Sequence, residues 1–376
     1  MSTLELHENS KGKLETKSIF KINSKEILSQ VYTPGVGEVC LKIKEDEKNL
    51  SKYTIAGKTV AVISNGTAVL GFGDIGPKAA LPVMEGKAAI FNEFANINSY
   101  PICINEKDPE KFIQIVKSIS LNFAAINLED ISAPNCFEIE KRLSEELDIP
   151  VIHDDQHGTA IVVLAALLGG VTLTNKKDLK ISISGAGAAG TAITKLLLSA
   201  KEKNLVSISE IKVFDSNGLI STDRDNLNIY KLEIAKMTNQ NAKCSFNEGV
   251  KNSDVFIGVS APNSVTLENI QSMNKSPIVF ALSNPVPEIM PEIAYKAGAS
   301  IVATGRSDFP NQINNALAYP GVFKGLLKNQ INKVTDELKI KAALAIYNYH
   351  KENLDFQNLL PSILDKKVPE IISNSF

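Results

Sequence analysis

The run Leu179-Lys180-Ile181-Ser182-Ile183-Ser184 passes directly into Gly185-Ala186-Gly187-Ala188-Ala189-Gly190, and an apolar helical stretch follows. With a strand before and a helix after, three glycines at this spacing read as a dinucleotide fingerprint. They permit a tight turn and let a pyrophosphate approach the helix amino terminus, where backbone N–H groups are free. The segment therefore demands a β-α-β start with a parallel sheet around it. A second strand, Ile211-Lys212-Val213-Phe214, ends in Asp215, placed to bond an adenosine ribose.

Three more strands are expected at 255–260, 278–282 and 300–304. Their ends are small or polar: Ser260-Ala261-Pro262, Ser283-Asn284-Pro285 and Gly305-Arg306-Ser307, with Asn314-Asn315 downstream. In an open parallel sheet such ends line the crevice above the nucleotide. The stretch 324–350 reads as a helix packed over one face. At 376 residues the chain is too long for one ordinary domain, and two are expected, 1–150 and 151–376.

The amino-terminal half has its own logic. Residues 1–30 read as a helical arm, followed by Tyr32-Thr33-Pro34-Gly35-Val36, a turn that would hold Tyr32 in a defined place. The strand Thr59–Ser64 and the short apolar run Ala68-Val69-Leu70 read as a hairpin turned at Asn65-Gly66. A glycine-rich loop, Gly71 to Gly76, comes next. The following apolar helix, about 79–92, contains Lys87, which either snorkels to solvent or is buried with a lowered pKa as a candidate base.

Two further strands each end in a pair of acids. Ala124–Leu128 leads to Glu129-Asp130, and Val151-Ile152 leads to His153-Asp154-Asp155-Gln156-His157-Gly158-Thr159-Ala160, with a helix, 136–147, between them. Such a β-α-β unit can bring four carboxylates together, which requires a cation or a proton. Hard oxygen ligands suit Mg²⁺ or Mn²⁺. The alternative is that Asp154 and Asp155 cap the helix that follows. A zinc site on His153 and His157 ranks lower, because the two flank acids better suited to Mg²⁺.

Composition excludes several classes. The formal net charge of −2 gives no electrostatic footprint for nucleic acid or an anionic membrane. Cys40, Cys103, Cys136 and Cys244 show no paired spacing, which fits a reducing cytoplasm. No signal peptide is read in the first thirty residues, and the longest apolar run, Ile161 to Leu168, is cut by Gly169-Gly170 short of a membrane span.

With these motifs in order along the chain, the sequence resembles the malic enzymes, in particular their short bacterial-type branch. The resemblance rests on Tyr32 to Val36, Glu85-Gly86-Lys87-Ala88-Ala89, Leu128-Glu129-Asp130, His153 to Ala160, Gly185 to Gly190 and Ser283-Asn284-Pro285. It implies an α/β fold: a malic-type amino-terminal domain and a Rossmann-like doubly wound domain that binds NAD, or NADP. It implies oxidative decarboxylation of malate to pyruvate and CO₂, with Glu129, Asp130 and Asp155 as Mg²⁺ or Mn²⁺ ligands and Asp154 in support. Lys87 matches the family's base and Tyr32 its acid, while Asn284 and Asn315 match positions that contact substrate. The nucleotide is expected on Gly185, Gly187, Ala188, Ala189, Gly190, Asp215, Ser260 and Asn284.

The resemblance also implies a homodimer packed through the amino-terminal arm. Where longer relatives carry a carboxylate-binding arginine, this chain has Thr67 and Ala68, which leaves Arg306 or the Gly71–Gly76 backbone as replacements. Two other readings remain: a hydroxy-acid or amino-acid dehydrogenase without decarboxylation, and a degenerate dinucleotide-binding regulator. Asp215 favours NAD by repelling a 2′-phosphate.

Overall fold

The structure is a computed structural model that describes residues 2–238 and 243–376. Two parallel sheets organise it. In the first, strands β1 (Thr59–Ser64), β2 (Asn98–Cys103), β3 (Ala125–Leu128) and β4 (Val151–His153) lie in the order β2-β1-β3-β4. The second contains β5 (Leu179–Ser184), β6 (Ile208–Asp215), β7 (Gly218–Leu219), β8 (Val255–Gly258), β9 (Ile278–Ala281) and β10 (Ile301–Thr304). Its order is β10-β9-β8-β5-β6-β7, with only β7 antiparallel to its neighbour. Strand order reverses beside β5, so the crevice opens above the glycine fingerprint.

Alternation along the strands sorts their side chains between two faces. Val60 and Val62 join a core that runs through the helix Asp154–Thr174 to Ile181, Ile257 and Ile301 of the second sheet. Ala61 and Ile63 point the other way, onto Phe112, Val116 and Ile139 of the outer helices. One apolar helix thus serves both sheets, and this explains its uniform hydrophobicity. The glycine pair does not end it: a Cβ on Gly170 would meet Ile278 Cδ1 at 3.1 Å, so the small residues let the helix approach the second sheet. At 21 residues it is long and apolar enough to cross a membrane, contrary to the reading of that run, but 67% of its apolar window is buried within the protein.

Other expectations also change. Ala68-Val69-Leu70 forms no strand; the backbone turns back, and the N–H groups of Thr67 and Ala68 donate to the Asp130 carbonyl at 3.1 and 3.0 Å. Val69 is buried because this loop covers the cavity, which imitates a strand's burial without its pairing. The arm is helical only over Thr3–Ser10 and Lys25–Val31. The carboxy-terminal stretch splits into Tyr319–Lys328 and Asp336–His350, the second capped by the Thr335 side chain. Since β4 pairs with β3, the first sheet runs to His153, three residues past the division expected at 150. The halves also share packing, because Phe91 meets the rings of Tyr319 and Phe323 at 4.7 and 5.1 Å.

Candidate active site

Register decides the site. Leu128 of β3 stands opposite His153 of β4, so the two acid pairs emerge side by side. Glu129, Asp130 and Asp155 each present a carboxylate oxygen within 4.8 Å of the others. Asp130 adopts a φ of 54°, and its N–H donates to Asp155 Oδ2 at 2.9 Å. Asn127 Nδ2 donates to Glu129 Oε2 at 2.9 Å, which fixes that carboxylate from behind.

Lys87 enters from the helix Pro77–Ala95 and does not snorkel, being 8% exposed. Its Nζ lies 2.7 Å from Glu129 Oε1 and 2.6 Å from Asp154 Oδ2, over the Tyr319 ring at 4.4 Å. Burial disfavours the ammonium, but Asp154 and Glu129 outweigh it and hold the Lys87 pKa well above the ordinary value, opposite to the direction expected. Burial, with Asp155 beside it, pushes Asp130 up to about 8 despite Lys87, and burial lifts Asp154 to about 6. Burial likewise drives Glu129 upward.

Four acids facing one ammonium leave negative charge that a divalent cation fits. Asp130 Oδ2 is buried without a hydrogen-bond partner among the described residues, an orphaned oxygen that suits a cation ligand. The histidines contribute none of that cluster among the described residues. His157 instead bonds Glu140, which argues against zinc. Asp154 serves Lys87, so the capping alternative fails for it.

Across the cavity stands the fingerprint. Gly190 is required because a Cβ there would lie 1.8 Å from the Gly185 carbonyl oxygen, whereas at Gly187 a Cβ meets nothing within 4 Å and the backbone is open. The helix Ala188–Glu202 has no side-chain cap, so its first N–H groups are free for a pyrophosphate. Gly187, Ala188 and Ala189 line a cavity of about 800 Å³ together with Lys87, Asp130 and Asp155. Ser260, Asn284 and Asn315 complete its wall.

Not every expected residue converges. Tyr32 ends the helix Lys25–Val31, is 67% exposed and does not line this cavity. Arg306 turns to Asp308 and to the Pro285 carbonyl, at 2.8 and 3.0 Å; its neighbour Gly305 lines the cavity and Arg306 does not. Asp215 is held by Arg224 Nη1 at 2.9 Å and Lys231 Nζ at 2.7 Å. Sequence reasoning missed Tyr319 and Glu140, and gave Gly158, inside the His153–Ala160 stretch, no role of its own. Glu140 carried a signal, an acid beside buried Cys136, Ile139 and Leu143 of its own helix.

A nucleotide fingerprint and an acid–lysine cluster opening onto one cavity define a two-domain NAD(P)-linked oxidoreductase. The family models "Malic enzyme, N-terminal domain" and "Malic enzyme, NAD binding domain" match residues 10–144 and 156–372. The chain belongs to the malic enzyme family. It is 50% identical to an NAD-dependent malic enzyme of Geobacillus stearothermophilus, covering 96% of this chain and 74% of that one. It is 48% identical to a bifunctional malic/malolactic enzyme of Bacillus subtilis, covering 99% and 90%. The crystal structure of an NAD-dependent malic enzyme from Thermotoga maritima superposes with a TM-score of 0.94 at 45% identity, covering 100% and 98%.

Proposed function

We propose that the chain oxidises malate and releases CO₂, yielding pyruvate and reduced NAD(P). The observation that carries this reading is Lys87, set between Glu129 and Asp154 on one wall of a cavity whose other wall is the nucleotide fingerprint. Glu129, Asp130 and Asp155 would hold Mg²⁺ or Mn²⁺, and Gly185 to Gly190 with Ser260 and Asn284 would hold the nucleotide. The cation supplies Lewis-acid polarisation and the nicotinamide a hydride acceptor.

The chain's own groups supply the rest. Lys87 in its neutral form takes the C2 hydroxyl proton. Its ammonium is stabilised by Glu129 and Asp154 together, so committing Glu129 elsewhere weakens its hold on a proton. Asn284 and Asn315 orient the substrate from the nucleotide side. The proton removed from the C2 hydroxyl is balanced by one delivered to C3 after CO₂ leaves, the role assigned to Tyr32, while the hydride from C2 goes to the nicotinamide. No cation replaces the missing arginine in the cavity wall except Lys87 among the described residues, so the backbone of the Gly71–Gly76 loop is the better candidate for the substrate carboxylate.

In this reading Tyr32 reaches a site as part of a homodimer. The helices Thr3–Ser10, Lys25–Val31, Val36–Glu45 and Asn49–Tyr53 bury none of their own residues. Ile19, Phe20 and Ile55 are exposed around a groove of about 1270 Å³ beside this arm. That surface supports packing on a second copy, with Tyr32 delivered across the interface. The four unpaired cysteines accord with a reducing, cytoplasmic setting.

Cofactor choice is open to both nucleotides. Asp215 is neutralised by Arg224 and Lys231, so its repulsion of a 2′-phosphate, the ground for preferring NAD, loses force. Initial rates with malate, Mn²⁺ and either nucleotide, with CO₂ measured directly, test the proposal. Reduced nucleotide without CO₂ would point to the non-decarboxylating alternative.

A further inference from the structure

The stretch His153 to Ala160 holds two histidines that the proposed chemistry does not use. Glu140, on the helix Asn135–Glu146 and with its side chain 12% exposed, bonds the ring of His157 and the backbone N–H of His153. Its carboxylate accepts from the His153 N–H at 2.7 Å and from Gln156 Nε2 at 2.9 Å, and it meets His157 Nε2 at 3.0 Å. Those residues stand three and four apart, which puts them on one face of the first helical turn. Asp154 and Asp155 lie on the other face, toward Lys87 and the cavity. The turn is therefore gripped on one side and presents ligands on the other.

His153 adds a second observation. It is 0% exposed, neither ring nitrogen has a hydrogen-bond partner among the described residues, and its Nε2 lies 4.0 Å from Asp155 Oδ2. A buried, unanswered polar group is unfavourable, so its retention beside a carboxylate of the cluster calls for a reason. Orientation of that carboxylate is such a reason. Ligands and the groups that aim them act together in metal sites.

We infer that Glu140 is a positioning residue for the cation site: by holding His153, Gln156 and His157 it sets the direction of Asp155 and so the affinity of the Glu129–Asp130–Asp155 cluster for a divalent cation. This rests on the reading of that cluster as the metal site. The consequence is specific, because among the described residues the polar partners of Glu140 are His153, Gln156 and His157, none of them in the nucleotide fingerprint. Its loss weakens cation binding and leaves nucleotide binding alone.

The test is Mn²⁺ titration of the purified protein, following the paramagnetic resonance signal of free Mn²⁺, with NAD(P)H fluorescence and thermal melting in parallel. E140Q keeps one acceptor oxygen and opposes an amide to Gln156 and His157. It is expected to weaken Mn²⁺ about 10- to 100-fold, with NAD(P)H affinity within about twofold of the parent. Turnover should recover as Mn²⁺ is raised, so that the half-saturating concentration moves more than kcat. H157F, which removes one contact, should show a smaller loss in the same direction. D155N is the reference: if it binds Mn²⁺ like the parent, the metal-site reading fails. If D155N loses Mn²⁺ while a folded E140Q keeps parental affinity, the positioning role of Glu140 is overturned, and H157F decides in the same way should E140Q not fold.

Discussion

Lys87 Nζ stands 2.6 Å from Asp154 Oδ2, across 67 residues of chain. The contact joins a helix before β2 to the helix after β4, and it makes Asp154 the lysine's partner. Glu129 and Asp154 together compensate the ammonium and hold its proton on.

Lys87→Ala should lower kcat by ~10²–10⁴-fold, the range for loss of a positioned base. Mn²⁺ and NAD(P)H should still bind. Steady-state rates and the Mn²⁺ titration check this together, and turnover within a few-fold of the parent would remove Lys87 from the chemistry.

Gly158 lies behind Asp154, where an added Cβ would stand 1.8 Å from Asp154 Oδ1 and 3.1 Å from Asn315 Cβ. Gly158→Ala should therefore destabilise the protein by about 1–3 kcal/mol through overpacking and displace Asp154 from Lys87. Denaturant unfolding and kcat report the two effects. A variant with parental stability and turnover would show that the turn is looser than its spacing indicates.

Arg224 and Lys231 converge on Asp215 at the end of β6. A 2′-phosphate seated there gains charge-assisted hydrogen bonds from both, while a bare ribose does not. Lys231→Ala should cost NADP about tenfold or more in kcat/KM, roughly one such hydrogen bond, and NAD much less. Equal losses for the two nucleotides would place Lys231 in a purely structural role.

Tyr32→Phe and Lys87→Ala variants, each inactive alone, should complement when co-refolded. In a two-fold dimer with crossed sites, random assortment returns about a quarter of parental activity. Absence of recovery, with mixed dimers shown to form, would return Tyr32 to its own subunit and require the arm to close.

Much of this was legible residue by residue. Period-two and apolar runs located β1, β3, β4, β5, β6, β8, β9 and β10, because buried parallel strands bounded by glycine or acids leave a short, uniform signal. The loop after β1 was not, and 59–70 read as a hairpin, since burial of Val69 under a turning loop looks the same in sequence as burial in a strand. Glu140 was overlooked for a similar reason: its partners are 13 to 17 residues away, and helix phase alone does not say what stands opposite.

The sequence by itself determined the kinds of groups present: a glycine turn after a strand, two acid pairs at strand ends, and one lysine in an apolar helix. Only the tertiary structure decided their partners. The Leu128–His153 register sets the acid pairs side by side, the Pro77–Ala95 helix aims Lys87 between Glu129 and Asp154, and Tyr32 is left outside. Chemistry at a site depends on distances of a few ångströms between residues far apart in the chain, and those are fixed by sheet register and helix packing rather than by local pattern.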